Sequence, residues 1–200
     1  AWWAWGVGLG GWGVHLLDVG TSGGVWGAER GYCLMVGGER GVYERVKTVF
    51  QALAMEEGFA YVGPQGSGHY VKMVHNAVEY GLMQAYGEGF ELLHKSGFDV
   101  DLEAIARLWN HGSVIRSWLL ELIERALSKD PKLDRVIGYV EDSGEGRWSV
   151  IDAVERGVPF PHTALALFAR FRSRQEDSFA SKVVAALRRE FGGHAVRERG

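Results

Sequence analysis

The feature that most constrains this fold is a change in hydrophobic spacing at residues 63–68. Upstream of it, apolar residues form short runs of strand length that contain or end at glycines: VHLLDVG (14–20), YCLMVGG (32–38) and FAYVG (59–63). Residues 41–55, between the last two runs, have the spacing of an amphipathic helix. Strand, helix and strand in this order predict part of an α/β sheet.

Downstream of residue 68 the chain has helical spacing and almost no strand signal. Residues 69–95 contain few helix breakers and are predicted to form one long helix. The fold is therefore predicted to be mainly α, with a domain boundary close to residue 66. Shorter helices are predicted at Leu102 to Trp109, Ser113 to Leu127, Leu133 to Tyr139, Ser149 to Arg156, His162 to Arg174 and Phe179 to Phe191.

Charge and cysteine content narrow the class of partner. The 200 residues carry a formal net charge of −3 and no block of like charge, which argues against nucleic acid or membrane lipid as the main partner. A small molecule is the expected partner. Cys33 is the only cysteine, so no internal disulfide is possible, and a reducing, cytoplasmic location is expected.

The first 17 residues lack Asp, Glu, Lys and Arg, which is typical of signal or membrane segments. However, this start has no basic residue, and glycines interrupt it repeatedly. A membrane-spanning helix needs about 20 mostly apolar residues without such breaks. The start is therefore expected to be disordered or poorly packed, and no membrane segment is predicted.

Four polar residues share one face of the predicted long helix. At roughly 100° per residue, Glu79 lies about 20° from Lys72 around the axis, Asn76 about 40° and His75 about 60°. Lys72 and Glu79 are about 10 Å apart along the axis, a gap that can hold a small substrate between a base and an acid. The alternative is a solvated helix face, although such a face more often carries exchangeable Lys, Glu, Gln and Arg.

The segment GSGHYVKMVHNAVEYGLMQ, at residues 66–84, closely resembles the signature of the decarboxylating 6-phosphogluconate dehydrogenases, whose active-site helix reads G-x-G-H-x-V-K-M-V-H-N-G-I-E-Y-G. The resemblance covers nearly everything from residue 14 onward, and it is closest to a short branch whose members are often NAD-dependent. It is carried further by residues 17–38, 108–122, 141–161 and 167–174 and by EFGGHAV near the end.

The resemblance implies a catalytic role for the shared face. Lys72 is expected to be the general base that takes the proton of the substrate C3 hydroxyl, and Glu79 the acid that protonates C1 after carbon dioxide leaves. His75 and Asn76 are expected to hold substrate oxygens. A lysine that acts as a base must be neutral, so the pKa of Lys72 must be lowered by burial or by a neighbouring positive charge.

Further binding residues follow from the same resemblance. Ser22, Gly23 and Gly24 match the family's S-G-G loop, where backbone N–H groups and a hydroxyl reach the substrate carboxylate; an ordinary turn is the alternative. Tyr80 and Arg170 match phosphate-binding positions, although Arg170 could instead be surface charge on a helix.

Three positions need separate comment. His194 resembles a histidine that reaches the active site of a second subunit, with a frayed terminus as the alternative. Where longer family members carry a phosphate-binding lysine, this chain has Ser143, and Arg147 could compensate. Ala77 replaces the usual glycine of the helix signature.

Other histidines and the tryptophans are interpreted as structural. His111 and His162 lie in turns without metal-ligand spacing, so no metal is expected.

The resemblance also implies a division into three parts. These are an unmatched Trp/Gly-rich start at residues 1–13, a remnant of a dinucleotide-binding α/β domain at 14–66, and an all-helical 6-phosphogluconate dehydrogenase C-terminal domain at 67–200. The fold class is therefore a helical C-terminal domain preceded by the last strands of a truncated Rossmann-like domain. Only 21 residues precede Ser22, whereas the family's dinucleotide-binding domain begins about 100 residues before the S-G-G loop.

The glycines from Gly6 to Gly11 fit G-x-G-x-x-G by letters, but no strand and following helix surround them. They are rejected as a cofactor site, and the cofactor-binding residues are unknown. The resemblance implies NAD or NADP as cofactor, without deciding between them. The chain as given is expected to show little or no NAD(P) reduction.

The expected activity is oxidative decarboxylation of 6-phosphogluconate to ribulose 5-phosphate and carbon dioxide, a step of the pentose phosphate pathway. A homo-oligomer, dimer or tetramer, is implied. Two alternatives stay open. One is a non-catalytic helical module that dimerises or binds sugar phosphates; the other is a different β-hydroxyacid dehydrogenase, against which the H-N-x-x-E-Y cluster argues.

Overall fold

A three-stranded sheet lies near the start of the part that the structure describes. The computed structural model describes residues 12–197. Strand β1 (Leu17–Ser22) pairs antiparallel with β2 (Tyr32–Gly38), and β2 pairs parallel with β3 (Ala54–Gly63). A short 3-10 turn and the one-turn helix α1 (Gly27–Arg30) join β1 to β2. The parallel pair needs a crossover, which helix α2 (Arg40–Leu53) supplies.

One face of the sheet forms an aromatic core with α2. Side chains alternate along a strand, so Leu34 and Val36 of β2 point to this face and are almost fully buried. Tyr43 of α2 stacks on Phe50, which lies further along the same helix, with ring centroids 5.8 Å apart. Tyr43 also lies 5.5 Å from the ring of Tyr61 on β3. These contacts fix α2 on the sheet.

The opposite face of the sheet meets the start of helix α3 (Ser67–His94). Glycines line this contact: a Cβ at Gly37 would lie 2.6 Å from the amide nitrogen of Gly68, and one at Gly68 would lie 2.5 Å from the carbonyl oxygen of Met35. Side chains at these positions would push the helix away from the strands. Glycine is therefore required here for close approach rather than for an unusual backbone angle.

The remaining elements are helices. They are α4 (Leu102–Trp109), α5 (Trp118–Lys129), α6 (Glu145–Glu155), α7 (Pro161–Ser173) and α8 (Phe179–Gly192). The predicted fold class, mainly α after a short Rossmann-like segment, is confirmed. Among residues 12–197, no helix combines the length and apolarity that crossing a membrane requires.

Several predicted boundaries need correction. Strand β1 begins at Leu17 rather than Val14 and continues to Ser22, because Thr21 and Ser22 pair with β2 instead of forming a turn. Strand β3 starts at Ala54, upstream of the predicted residue 59. Helix α5 starts only at Trp118, since the Ser117 hydroxyl caps it by accepting from the Leu120 amide at 3.1 Å.

The helix predicted at Leu133 to Tyr139 is wrong. Leu133 has a φ of 53°, in the left-handed region, which a right-handed helix cannot include. The backbone amides of Asp134 and Arg135 donate to the carboxylate of Asp130 instead of to helical carbonyls. Local side-chain bonding thus replaces the predicted helix with turns.

By internal contacts the described chain forms two compact units. One contains the residues up to Tyr80 together with Gly144–Thr163, and the other contains Gly81–Ser143 and the residues from Ala164 onward. The domain limits given above, with a boundary after residue 66, stay a prediction. The expectation of a poorly packed start falls mainly on residues outside the described part, as do the glycines from Gly6 to Gly11.

Candidate active site

The start of α3 is held by a buried carboxylate from β1. Asp18, 4% exposed, accepts from the backbone N–H of Gly66 at 2.6 Å and of His69 at 2.8 Å. The first N–H groups of a helix have no partner within the helix, and the helix dipole favours a negative charge there. Asp18 therefore fixes where α3 begins and, with it, where Lys72 stands.

Lys72 lies one turn into α3, against the sheet. A Cβ at Gly20 of β1 would overlap the Cβ of Lys72, so the lysine stem lies directly on the strand backbone. Burial lowers the pKa of Lys72 below its ordinary value, while the nearby charges of Glu79, Glu145 and Cys33 act in the opposite direction. The direction of this shift is the one that a general base requires.

His75 connects the other members of the cluster. Its Nδ1 lies 3.2 Å from Lys72 Nζ, 3.1 Å from Asn76 Oδ1 and 3.9 Å from Glu79 Oε2. Nδ1 can accept from Lys72 or, when it carries the hydrogen, donate to Asn76, but not both at once. The tautomer of His75 therefore decides whether Nδ1 accepts from Lys72 or donates to Asn76. The structure brings these four predicted residues together, each half-buried on one helix face.

The S-G-G segment lies at the end of β1. Ser22 is the last residue of the strand and stands opposite Cys33 of β2. Gly23 and Gly24 follow with φ of 133° and 54°, values that residues with a side chain rarely adopt. Gly24 is exposed, and a Cβ there would meet nothing within 4 Å. The backbone is thus accessible, as a carboxylate-binding loop requires.

Tyr80 is a buried residue and does not face solvent. Its side chain is only 4% exposed, and a Cβ on Gly146 of α6 would lie 2.6 Å from its ring carbon Cε2. The ring therefore fills the space beside the α6 backbone. Its predicted contact with phosphate stays a prediction.

Helix α6 and the start of α7 are tied to α3 through hydroxyl groups. Ser149 Oγ donates to the Met73 carbonyl and Thr163 Oγ1 to the Ala77 carbonyl, both at 3.3 Å. Ala77, which stands where the signature has glycine, is completely buried. Its methyl group fits inside the packed interior.

Arg170 and His194 belong to the second unit. Arg170, on α7, is half-buried and donates from Nη1 to the Glu141 carbonyl at 3.0 Å. His194 follows Gly193, which ends α8 in the left-handed conformation, and it is exposed. Their assigned roles stay predictions.

Sequence reasoning missed Asp18, Gly20 and Glu145. A signal for Asp18 was present, because an aspartate within an apolar strand run needs a partner when it is buried. The contact of Gly20 with Lys72 and the effect of Glu145 on the Lys72 pKa join distant parts of the chain and leave no local pattern. Within residues 12–197, no group of three or more His, Cys, Asp or Glu side chains is arranged to hold a metal ion.

The second unit contains a cavity of its own. It measures about 540 Å³ and is lined mainly by apolar side chains such as Phe90, Leu122 and Ile123. None of the predicted site residues lines it. A sugar acid needs many hydrogen-bond partners, so this apolar cavity does not suit one.

Solved structures share the fold of this chain. A 3-hydroxyisobutyrate dehydrogenase of Salmonella typhimurium shares the fold, with a TM-score of 0.65 at 21% identity over 82% of this chain and 56% of that one. At this identity the likeness concerns the fold alone. The chain therefore shares its fold with this protein.

The family follows from the sequence. The profile described as 6-phosphogluconate dehydrogenase, C-terminal domain, matches residues 68–194, and that of the NAD binding domain of 6-phosphogluconate dehydrogenase matches residues 9–63. The chain belongs to the 6-phosphogluconate dehydrogenase family, which confirms the resemblance found from the motifs.

Individual relatives agree with this assignment. The chain is 54% identical to YqeC of Bacillus subtilis, over 94% of this chain and 63% of that protein. It is 50% identical to the NAD(+)-dependent, decarboxylating 6-phosphogluconate dehydrogenase of Haloferax volcanii, over 90% and 61%. It thus spans less than two thirds of the length of these relatives. The 6-phosphogluconate dehydrogenase of Plasmodium falciparum has a TM-score of 0.78 at 30% identity, over 98% of this chain and 43% of that one.

Proposed function

We propose that this chain carries the substrate-binding and proton-transfer groups of a decarboxylating 6-phosphogluconate dehydrogenase. The observation that carries the proposal is the Lys72 cluster: a lysine with a lowered pKa, 3.2 Å from a histidine that also contacts an amide and a carboxylate. The solved Plasmodium relative was studied with 6-phosphogluconate and with NADP+.

In the proposed reaction, neutral Lys72 accepts the proton of the C3 hydroxyl as that carbon is oxidised. A half-buried amine with a lowered pKa suits this step, because a larger fraction of it is deprotonated at a given pH. His75 can compensate for the new charge by accepting a hydrogen bond from the protonated Lys72. Carbon dioxide then leaves the 3-keto acid, and Glu79, two turns along α3, protonates C1 of the enediol.

NAD or NADP is the proposed hydride acceptor, because residues 9–63 match an NAD-binding profile and the Haloferax relative is named as NAD(+)-dependent. The described residues contain no G-x-G-x-x-G turn between a strand and a helix, which is what holds a dinucleotide pyrophosphate in this fold class. We therefore assign no dinucleotide-binding role to any residue between positions 12 and 197.

The substrate's charged ends are proposed to bind outside α3. The exposed backbone of Gly24, which follows Ser22 and Gly23, suits a carboxylate. Arg170 suits a phosphate, since a guanidinium can donate two parallel hydrogen bonds to phosphate oxygens. His75 and Asn76 suit the hydroxyl groups of the sugar acid.

Titration calorimetry with 6-phosphogluconate tests the proposal. We expect the wild-type chain to bind, and Lys72→Ala or Arg170→Ala to weaken binding roughly 10- to 100-fold, the loss expected for a hydrogen bond to a charged group. Lys95→Ala, an exposed lysine paired with Glu91 at the end of α3, is the matched control and should bind as the wild type does. Absence of heat from the folded wild type would refute the proposal.

We further propose that the protein is a homo-oligomer. Helix α8 supports this, because Phe179, Val183, Leu187 and Phe191 recur every fourth residue and are 42–90% exposed. A continuous apolar stripe of this kind is typical of interaction surfaces. A second copy of the chain is the proposed occupant, in line with the oligomer that the family resemblance implies.

A further inference from the structure

One side of helix α3 is packed against two other helices within the first unit. Helix α6 runs along α3 in the opposite direction, because the contacts between them pair residues in reverse order: Tyr70 with Asp152, Met73 with Ser149, and Tyr80 with Gly146. The start of α7 meets the same side of α3 at Ala77. The position of α3 therefore depends on these helices as well as on the sheet.

Two buried hydroxyl groups bind the backbone of α3 on this side. Ser149 of α6 is 4% exposed and Thr163 of α7 is 6% exposed. Ser149 Oγ donates to the Met73 carbonyl and Thr163 Oγ1 to the Ala77 carbonyl, both at 3.3 Å. A carbonyl oxygen has two lone pairs, so each of these can accept the hydroxyl in addition to its helical N–H. The bonds hold the helix itself rather than a side-chain rotamer.

The two bonds together fix how α3 is turned about its axis. Met73 and Ala77 are one turn apart, about 6 Å along the axis and about 40° around it. A helix that is held at one point can pivot about that point. Two points of attachment, on α6 and on α7, oppose both the pivot and the rotation.

The rotation of α3 decides where the Lys72 stem lies. Lys72 directly precedes Met73, and its Cβ occupies the space that Gly20 of β1 leaves free by lacking a side chain. A turn of about 20° moves a Cα on a helix of about 2.3 Å radius by roughly 0.8 Å, and side-chain atoms further from the axis move more. The strand backbone blocks a turn towards it, so a loosened α3 can only lift the stem away.

We propose that Ser149 and Thr163 are positioning residues of the Lys72 cluster: their hydroxyl groups fix the rotation of α3 and so hold the Lys72 stem on strand β1. Neither hydroxyl acts on the amine directly, and both act through the α3 backbone. A misplacement of about 1 Å is enough to impair a catalytic group. The use of Lys72 as a base rests on the proposed function, whereas the effect of the hydroxyl groups on its position does not.

The titration of the Lys72 amine reports where its stem lies. Trace acetylation with acetic anhydride over a series of pH values, followed by peptide mass spectrometry, gives the labelling of Lys72 relative to its own plateau at high pH. Lifting the stem off the strand exposes the amine and raises its pKa towards the ordinary value. The groups that act on the amine are kept in every variant below: His75, Glu79, Glu145 and Cys33.

Two variants remove one hydroxyl each with little change in shape. We expect Ser149→Ala and Thr163→Val to reduce Lys72 labelling roughly 2- to 10-fold at a pH below the midpoint, where each pKa unit changes the free amine tenfold. Thr163→Ser keeps the hydroxyl and should restore the wild-type curve.

Ser178→Ala is the matched control for a general loss of stability. Ser178 is also buried and hydrogen-bonded, since its Oγ caps α8 by accepting from Ser181 N at 3.4 Å. Its replacement should leave the Lys72 curve unchanged. Circular dichroism reports whether each variant is folded.

The proposal is overturned if folded Ser149→Ala and Thr163→Val both titrate as the wild type does, or if Ser178→Ala gives the same shift. A shift in one variant alone refutes the role of the other residue. If Thr163→Val does not fold, Ser149→Ala decides; if neither folds, the hydroxyl groups serve the fold as a whole and the positioning role is refuted. A wild type that fails to bind 6-phosphogluconate refutes the proposed function and leaves the labelling result intact.

Discussion

At the scale of single residues, two positions of strand β1 determine how the start of α3 and its Lys72 are placed. Asp18 caps α3 and Gly20 supports the stem of Lys72, two positions apart on the same face of the strand. The strand therefore sets both the start of the helix and the environment of its lysine.

Replacing Asp18 by alanine is expected to destabilise the protein by about 1–3 kcal/mol, because two partly buried backbone N–H groups lose their acceptor. Urea unfolding followed by circular dichroism measures the change. Asp101→Ala is the matched control: this carboxylate also caps a helix, α4, by accepting from Ala104 N at 3.0 Å, but it is exposed. Its loss should cost less, about 0.5–1 kcal/mol. Equal costs would show that burial of the Asp18 cap is unimportant.

The lowered pKa of Lys72 predicts a pH dependence of stability. In the folded protein the Lys72 ammonium releases its proton at a lower pH than in the unfolded chain, where the ordinary lysine pKa of 10.5 applies. Between these two pKa values the unfolded chain binds more protons, so this residue makes the free energy of unfolding rise with pH. The rise should be missing from Lys72→Met.

Urea unfolding of both proteins at pH values from 7 to about 10.5 tests this, the upper end being the ordinary lysine pKa. The wild type should gain stability relative to Lys72→Met as pH increases. A difference that is constant over this range would contradict the lowered pKa.

At the scale of elements, glycines decide which helices can approach each other. Gly146 permits α6 to lie against the Tyr80 ring, whereas Gly89, in the middle of α3, has open space where its Cβ would be. Both glycines lie in helices, so an alanine gains the same helix propensity at either position. A difference in stability between the two alanine variants therefore measures the effect of packing.

Gly146→Ala is expected to destabilise the protein by about 1–3 kcal/mol, because the added methyl group overlaps a buried ring. Gly89→Ala should instead stabilise it by about 0.5–1 kcal/mol through the higher helix propensity of alanine. Thermal and urea unfolding of the two variants provide the measurement. A stabilised Gly146→Ala would mean that α6 and Tyr80 are not in contact.

The predicted elements were most accurate where local spacing was undisturbed. Helix α4 and strand β2 have the predicted limits, and the long helix differs from its prediction only at the ends. The predicted helix at Leu133 to Tyr139 failed because Asp130 binds the amides that a helix would use. Likewise, α5 begins later in the chain than the apolar spacing predicted, because Ser117 caps it.

At the scale of the whole molecule, the apolar stripe on α8 is the main feature without a partner in the described chain. Leu187→Glu places a charge in the middle of this stripe and is expected to shift the proposed homo-oligomer towards monomer. Sedimentation equilibrium measures the mass. Val114→Glu, a fully exposed apolar position in the turn before α5, is the control and should not change the mass. An unchanged mass for Leu187→Glu would exclude α8 from the interface.

The sequence by itself determined which residues share the helix face, because the helical period follows from local backbone geometry. It also determined the family, through motifs spread over most of the chain. The tertiary structure alone decided how Lys72 titrates, since burial against β1 and the charge of Glu145 depend on contacts between residues far apart in the chain. The cap that Asp18 provides for α3 is likewise such a long-range contact, and local periodicity carries no information about it.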